Sequence, residues 1–318
     1  MEFLRPGSLE EALTLKGQHP GAVPIAGGTD VMVEINFDQR RPAALLDLTR
    51  VTELTNWARN GGGWLRVGAG VSYARLIGEL GSLLPGLAMA ARTVGSPQIR
   101  NRGTIGGNLG AASPAGDCHP VLLAAGADIE VASVRGTRLI PVAEFFTGPK
   151  RNALEPDELI TAVLLPVAPG PQQFAKIGTR NAMVIAVCAF ALELRPPAPP
   201  TSDNPISDYP KWDEAEGEEG EEGRVGTGIG SGRVGTGIGS AGPTPLRALD
   251  AEEFLAARLP WGEAGTLPES LVREFGDLVA AAARPIDDVR GTAAYRRHAL
   301  SVLARRTLTW AWEEQACA

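Results

Sequence analysis

Two loops that combine glycines with hydroxyl and amide side chains constrain this 318-residue chain more than any other feature. The first covers residues 25–30 and reads Ile-Ala-Gly-Gly-Thr-Asp. The second covers residues 101–114 and reads Asn-Arg-Gly-Thr-Ile-Gly-Gly-Asn-Leu-Gly-Ala-Ala-Ser-Pro. Paired glycines permit positive φ and let another group approach the backbone closely. Successive free N–H groups in such a loop form an anion-binding concavity.

The two loops together predict a clamp for a pyrophosphate group. One neutral hydrogen bond contributes only about 0.5–1.5 kcal/mol net, so a single loop would not hold a dinucleotide. For residues 25–30 alone, a tight turn without a ligand is an equally good interpretation. Residues 101–114 favour a functional loop, because long loops rich in such residues usually carry function.

The formal charge of −7 is concentrated in one segment. Residues 196–222 hold nine acids and one lysine, and the rest of the chain has 29 basic and 28 acidic residues. Because the chain has no excess of basic residues, we expect no nucleic-acid partner. No apolar run approaches the ~20 residues of a membrane span, and no secretory signal is visible, so we expect no membrane span and a cytoplasmic location.

The cysteines are sparse, which narrows the class of cofactor that the chain itself holds. Cys118, Cys188 and Cys317 form no Cys-x-x-Cys pair, and three thiols are too few for the usual iron–sulfur clusters. Cys118 and His119 are adjacent but have no further ligands nearby in sequence, so we predict no metal site there. The simpler interpretation is a buried cysteine beside a turn histidine.

Local patterns predict an α+β protein. Ser8 with Glu11 indicates a helix cap, and short strands at 22–26 and 44–48 complete a small α/β unit. Residues 95–120 are predicted to be one long loop, and residues 128–141 a hairpin around Gly136.

The C-terminal part is predicted to consist of strands followed by helices. Apolar residues at helical spacing between 271 and 282 indicate one helix, and residues 292–312 a longer one. Four arginines are assigned to the polar side of the longer helix, as a solvated or subunit-facing surface rather than an anion site: Arg296, Arg297, Arg305 and Arg306.

An insertion and a duplication interrupt this region. The proline-rich and acidic composition of residues 196–222 predicts a solvated linker, since little apolar surface is available for burial. Residues 223–231 read Gly-Arg-Val-Gly-Thr-Gly-Ile-Gly-Ser and are repeated without change at 232–240. We expect one copy to suffice, and the second to be the strand. The Rossmann-like glycine spacings here are discounted, because prolines follow and no helix opens after them.

Taken in order, these motifs resemble the FAD-binding medium subunit of the molybdenum hydroxylases, the family of xanthine dehydrogenase and carbon monoxide dehydrogenase. The most specific is Thr-Ile-Gly-Gly-Asn at 104–108. The resemblance covers most of the chain, at residues 5–8, 26–30, 68–73, 98–101, 104–108, 112–117, 145–148, 158–160, 243–248, 287–291 and 295–297.

The resemblance implies a two-subdomain FAD-binding domain of the PCMH/VAO type at residues 1–170, with subdomains at 1–55 and 56–170. A smaller α+β domain, a three-stranded antiparallel sheet with helices, would follow at 172–318. A disordered insertion would interrupt it at 196–231.

Carried over position by position, the resemblance assigns no catalytic residue and no metal ligand, but it implies a set of cofactor contacts. Backbone groups of the first loop would wrap the FAD pyrophosphate, the second loop would contact the phosphates from the other side, and Asp117 would lie along the ribityl or adenosine part. An N-cap role is an equally good interpretation of Asp117. The implied contacts are Ile25, Ala26, Gly27, Gly28, Thr29, Asp30, Gly103, Thr104, Gly107, Asn108, Ala111, Asp117, Leu159, Ile160 and Lys176.

The function that the resemblance implies is electron transfer within a hetero-oligomeric, molybdopterin-dependent dehydrogenase. A molybdopterin-binding large subunit would oxidise the substrate, and a small subunit with [2Fe–2S] clusters would pass electrons to FAD in this chain. NAD+, a quinone or another acceptor would then be reduced. Two alternatives remain: a self-contained flavin oxidase of the vanillyl-alcohol-oxidase class, and a scaffold subunit without flavin.

Overall fold

The computed structural model describes residues 1–60, 62–167, 170–197, 232–263 and 265–317. Three larger sheets, one two-stranded hairpin and the helices around them make up this part of the chain. The α+β class predicted from the sequence is confirmed, including the three-stranded antiparallel sheet in the C-terminal part. Most of residues 196–231, the predicted disordered insertion with the first repeat copy, lie outside the described residues.

The first sheet is parallel and small, with the strand order β1-β3-β2. Its strands and helices are β1 (Glu2–Leu4), α1 (Leu9–Gln18), β2 (Val23–Ile25), α2 (Val31–Asn36) and β3 (Ala44–Asp47). The Ser8 hydroxyl caps α1 by accepting from the Glu11 N–H at 3.2 Å. The Glu11 carboxylate accepts from the Gly7 N–H at 2.6 Å, one residue before the cap. This is the predicted helix start, except that the Glu11 carboxylate bonds the residue before the cap and not the cap residue itself.

The second sheet is antiparallel, with the order β4-β5-β10-β6-β7, and follows a 3-10 turn at Thr52–Thr55. Its strands are β4 (Trp57–Arg59), β5 (Trp64–Gly68), β6 (Asp128–Ser133), β7 (Gly136–Pro141) and β10 (Leu159–Pro166). A separate small hairpin pairs β8 (Phe146–Gly148) with β9 (Arg151–Asn152). The predicted hairpin around Gly136 is thus present as β6 and β7.

Short helices connect these strands, and they correct one prediction. They are α3 (Tyr73–Glu79), α4 (Pro85–Thr93), α5 (Pro97–Arg102), α6 (Ile105–Ala111), α7 (His119–Ala125) and α8 (Val142–Phe145). Residues 95–120 were predicted as one loop but contain α5, α6 and the start of α7. The hydroxyls of Ser96 and Thr104 cap the first two of these helices. The glycines of α6 hide its helical pattern in the sequence.

The third sheet is antiparallel and has the order β11-β12-β13. Its elements are β11 (Gln172–Gly178), β12 (Ala186–Arg195), β13 (Arg233–Gly239), α9 (Leu249–Ala256), α10 (Glu269–Ala282) and α11 (Ala293–Cys317). The second repeat copy forms β13, as the sequence predicts. In the described ranges, no helix is both long enough and apolar enough to span a bilayer.

The glycines of β13 face α7 at very short range. A Cβ atom on Gly235 would lie 1.9 Å from the Ala124 carbonyl oxygen, and one on Gly237 would lie 1.8 Å from the Pro120 oxygen. Glycine at alternate positions therefore brings the strand backbone against the helix, which explains the Gly-x-Gly-x-Gly pattern. The other face of the sheet packs into a core with Phe254, Phe275 and Leu300.

One arginine of α11 differs from its predicted setting. Arg296 is buried at 2% exposure, donates to the Ser240 carbonyl oxygen and pairs with Asp288, whereas Arg297 and Arg306 are exposed and Arg305 is half-buried. The assignment of Arg296 to a solvated face was therefore wrong. The helical period placed it with the other arginines, but its acceptors lie outside the helix, at Asp288 just before it and at Ser240, 56 residues earlier.

Candidate functional site

The first glycine loop connects β2 to α2 in the parallel sheet. Gly28 has a φ of +75°, the left-handed conformation that favours glycine. Among the described residues, the backbone N–H groups of residues 27–30 donate no hydrogen bond to a protein acceptor. Such unpaired, partly exposed N–H groups suit an anionic ligand. Partial burial, followed by the nearby Glu34 carboxylate, raises the pKa of Asp30.

The two glycine loops meet at Gly27. A Cβ atom at Gly27 would lie 2.1 Å from the Arg102 carbonyl oxygen and 2.9 Å from the Gly103 nitrogen. Any side chain there would push the loops apart, since both neighbours are backbone atoms. Gly103 is itself fixed, because its carbonyl oxygen accepts from the Tyr73 N–H at 3.0 Å. The fold itself thus brings the two glycine loops together.

Backbone N–H groups of the second loop donate to acceptors within the protein. Ile105 donates to the Val71 oxygen at 3.1 Å, Gly106 to the Ala69 oxygen at 2.9 Å, and Gly107 to the Thr104 hydroxyl at 3.0 Å. The Thr104 hydroxyl keeps its own proton for a further acceptor, because it accepts from Gly107. The second loop would therefore contact a ligand mainly through its side chains and not through a row of free backbone N–H groups.

Asn108 presents an unpartnered polar atom. Its Oδ1 is buried and accepts no hydrogen bond within the described residues. A buried amide oxygen without a donor is costly, so a ligand or water donor is expected at this position. Gly107, one residue earlier, exposes its backbone. The paired loops, the free amides of residues 27–30 and this orphaned oxygen fit a large, polar, anionic cofactor such as FAD.

Asp117 and Lys176 form a buried ion pair beside these loops. The Lys176 Nζ lies 2.7 Å from Asp117 Oδ2, and each side chain is only 8% exposed. Lys176 also donates to the Thr93 carbonyl oxygen at 3.3 Å. Burial raises the pKa of Asp117, and the Lys176 ammonium opposes that effect. The other carboxylate oxygen, Oδ1, is buried and unpaired.

Lys176 also lines a cavity of 360 Å³ that three arginines border. Arg92, Arg100 and Arg180 face it, and Arg100 donates to the carbonyl oxygens of Val94 and Gly95. The positive lining would favour an anionic group at this end of the site.

The other residues implied as cofactor contacts, Ala111, Leu159 and Ile160, differ in how far their side chains are exposed. Ile160 is 8% exposed, and its Cδ1 lies 3.9 Å from the Cβ position of Gly110 on α6. Ala111 is half-buried at the end of the same helix. Leu159 is 2% exposed and packs into the core of the first sheet with Ala12. The Leu159 side chain is therefore not available to a ligand.

Sequence reasoning missed two residues that shape the site. The Arg102 carbonyl forms the contact at Gly27, and no sequence signal marks a carbonyl for such a role. His119 is fully buried, and its Nε2 lies 3.2 Å from the Asn108 carbonyl oxygen. Its only sequence signal was its place beside Cys118. No group of three His, Cys, Asp or Glu residues in the described ranges is arranged to hold a metal ion.

This combination of fold and paired glycine loops defines a class of flavin-binding proteins. Residues 1–168 match the family described as the FAD binding domain in molybdopterin dehydrogenase, and residues 232–311 match the CO dehydrogenase flavoprotein C-terminal domain. The chain belongs to this family of FAD-binding oxidoreductase subunits, and FAD is its cofactor.

Curated relatives and solved structures agree with this family. The FAD-subunit of nicotinate dehydrogenase from Eubacterium barkeri is 38% identical over 203 residues, which are 61% of this chain and 68% of the relative. The medium subunit of nicotine 6-hydroxylase from Paenarthrobacter nicotinovorans is 29% identical over 97% of this chain and 96% of its own. Reconstituted CO dehydrogenase from Oligotropha carboxidovorans superposes with a TM-score of 0.80 at 26% identity, over 99% of this chain and 98% of the matched chain.

Proposed function

We propose that this chain is the electron-transfer subunit of a multi-subunit, molybdopterin-dependent dehydrogenase. It would receive electrons from [2Fe–2S] clusters of a small partner subunit and pass them to NAD+, a quinone or another acceptor. A molybdopterin-binding large subunit would oxidise the organic substrate. The assembly would be a cytoplasmic hetero-oligomer. The names of its relatives, which are FAD or medium subunits of dehydrogenases and hydroxylases, support this assignment.

The observation that carries the proposal is the contact between the two glycine loops at Gly27. The contact fixes the distance between the free amides of residues 27–30 and the Thr104 and Asn108 side chains. We assign the FAD pyrophosphate to the space between them. FAD supplies the redox chemistry when bound, because it exchanges electrons one or two at a time.

Within this site the chain binds and orients the cofactor. The amides of residues 27–30 would donate to phosphate oxygens, and the Thr104 hydroxyl would add a donor from the opposite loop. The Asn108 side chain is aimed at a donor on the ligand. We assign Ala111, Ile160 and the Leu159 backbone to the flank of the site.

We assign the Asp117–Lys176 pair to the far end of the site from the pyrophosphate. Burial raises the pKa of Asp117, and the Lys176 ammonium opposes that effect, so the pair would place partly neutralised charge at this end of the site. We also propose the domain division of the sequence analysis, with FAD binding at residues 1–170 and a C-terminal domain at 172–318.

The test of the site is Gly27→Ala, with Gly21→Ala as its matched control. Gly21 precedes the same strand, and a Cβ atom there would meet nothing within 4 Å. We expect the purified wild-type chain and the Gly21 variant to keep visible flavin absorbance after reconstitution and desalting, and the Gly27 variant to lose it. A Gly27 variant that retains flavin at wild-type affinity would overturn the site assignment.

The assembly is tested by affinity purification of the tagged chain from its source cells. The expected eluate contains two further polypeptides, molybdenum and iron, in fixed ratio to flavin. A chain that elutes alone with an active, self-sufficient flavin centre would contradict the proposal. Yellow colour in an acid-precipitated pellet would favour the covalent flavin oxidase instead.

A further inference from the structure

Helix α6 cannot hold its shape by local interactions. It has seven residues, and three are glycines: Gly106, Gly107 and Gly110. Each glycine makes a helix less stable by roughly 1 kcal/mol relative to alanine, and helices this short are marginal even without glycine. Its conformation therefore depends on contacts from other elements.

The helix also ends irregularly, so that one carbonyl lacks its usual partner. In a regular helix the Ala112 N–H would donate to the Asn108 oxygen, four residues earlier. Here Ala112 has a φ of +44°, and its N–H donates to Leu109 at 3.0 Å. The Asn108 carbonyl must find a donor elsewhere.

His119 supplies that donor from the first turn of α7. Its Nε2 lies 3.2 Å from the Asn108 oxygen. Because a carbonyl oxygen only accepts, Nε2 carries the proton, and Nδ1 is the bare nitrogen. Nδ1 is buried and has no hydrogen-bond partner among the described residues.

The imidazole ring has little freedom to turn away. The Phe146 ring centroid is 4.5 Å from that of His119. On another side, a Cβ atom at Gly116 would lie 2.2–2.7 Å from three ring atoms, so glycine is required there. The fold therefore holds a fully buried imidazole, bonded at Nε2 and also interacting with the Ser113 backbone, against the backbone of α6.

We propose that His119 is a positioning residue for the flavin site. Its Nε2–H fixes the Asn108 carbonyl and thereby holds the backbone that presents Gly107 and the Asn108 side chain. The inference depends on the proposed location of the FAD pyrophosphate between the two loops. His119 acts through Asn108 and does not contact the cofactor.

Other contacts hold α6 on both sides of Asn108: at its start, Ile105 and Gly106 donate to the Val71 and Ala69 oxygens, and two more contacts lie at its end. Asn152 Nδ2 donates to the Gly110 oxygen at 3.1 Å, and the Lys150 N–H donates to the Ala112 oxygen at 3.0 Å. In the described part of the chain, His119 is the side chain that bonds the Asn108 carbonyl. Its loss would free the middle of the helix at Asn108 and leave both ends attached.

The test compares His119→Gln, His119→Asn and His119→Leu in the full chain. Glutamine can place an amide N–H near the position of Nε2, whereas the shorter asparagine cannot reach, and leucine has no donor. We expect the Asn and Leu variants to bind FAD about tenfold more weakly or worse, with an altered visible flavin spectrum. The Gln variant should stay close to the wild type.

Leu122→Ala is the matched control, because Leu122 is fully buried on the same helix. It should lower stability without changing FAD affinity or the flavin spectrum. A Leu variant with wild-type affinity, or Gln and Asn variants that lose affinity equally, would overturn the role of His119. If Gly27→Ala also retained FAD, the proposed site itself would be wrong, whereas loss of FAD in that variant alone would exclude only the positioning role.

Discussion

The Asp117–Lys176 pair is expected to stabilise the fold, because each buried charge has the other as its counter-ion. We predict that Lys176→Met lowers the free energy of unfolding by about 3–5 kcal/mol, because it leaves a buried carboxylate without its counter-ion. The double variant Asp117→Asn/Lys176→Met should recover much of that loss. Urea unfolding of the two variants and the wild type measures both effects.

An exposed pair on α10 provides the contrast. Arg273 and Glu269 are 61% and 86% exposed, so Arg273→Ala should change stability by less than about 1 kcal/mol. Equal losses in the Lys176 and Arg273 variants would show that burial does not set the strength of the Asp117 pair.

His119 makes stability depend on pH. Burial lowers the pKa of His119 from 6.5 to about 4 in the folded chain. Between these values the unfolded chain binds a proton that the folded chain excludes, so stability falls as the pH decreases, by about 1.4 kcal/mol per unit. Above the unfolded pKa the contribution is fully present. Between pH 7 and pH 5 the wild type should therefore lose about 2 kcal/mol more than His119→Gln. An equal loss of unfolding free energy in the two proteins between pH 7 and pH 5 would contradict this prediction.

At the scale of elements, the contact between β13 and α7 leaves less room for an added Cβ atom than any other glycine contact in the described structure. We predict that Gly237→Ala destabilises the protein by about 1–3 kcal/mol or more, since the added methyl would meet the Pro120 carbonyl and force the backbones apart. Thermal unfolding by circular dichroism measures the effect.

Gly78→Ala is the control for that substitution. Gly78 lies in α3, and a Cβ atom there would meet nothing within 4 Å. Alanine should leave the melting temperature unchanged or raise it, because it is the better helix former. If the Gly237 variant had the same melting temperature as the Gly78 variant, the strand would be able to move away from α7 at little cost.

The elements that sequence reasoning predicted are those with local signals. The capping pair Ser8 and Glu11, the hairpin around Gly136 and the alternating glycines of the second repeat all carry their cause within a few residues. Helix α6 has no such signal. Three of its seven residues are glycines, and the groups that hold it lie on other elements.

The same limit applies to the site. Glycine pairs in the sequence indicated the loops and their ligand class, but not which N–H groups remain free. Ile105 and Gly106 donate to Val71 and Ala69, acceptors more than thirty positions earlier. The burial of Arg296 likewise depends on Ser240, which no helical pattern reveals. Such pairings become visible only when the whole fold is known.

For the whole molecule, the acidic segment is the part we expect to be dispensable. Arg195 and Arg233 are register partners in β12 and β13. If one asparagine replaces residues 196–231, an Asn-Gly turn connects them directly, which is a favoured hairpin. The change removes nine acids and two bases, so the chain becomes formally neutral with 28 of each.

This shortened protein should bind FAD like the wild type, since the flavin loops are distant in sequence from the segment. Flavin content after desalting and the affinity for FAD are the measurements, and a raised isoelectric point verifies the change. Loss of flavin would assign the acidic segment a role in the cofactor site.

The glycines of β13 that pack against α7 also decide whether the N-terminal part of the chain can be separated from the C-terminal part. Helix α7 lies in the N-terminal part of the chain, yet β13 of the C-terminal part covers it, and Ala186, Ala189 and Ala191 of β12 complete the same hydrophobic core. A fragment ending near residue 170 would lack this cover and would expose the face of the helix that begins with His119. We therefore expect that the two parts suggested by the sequence do not fold independently, and that the assigned flavin site needs the C-terminal sheet although neither glycine loop lies there.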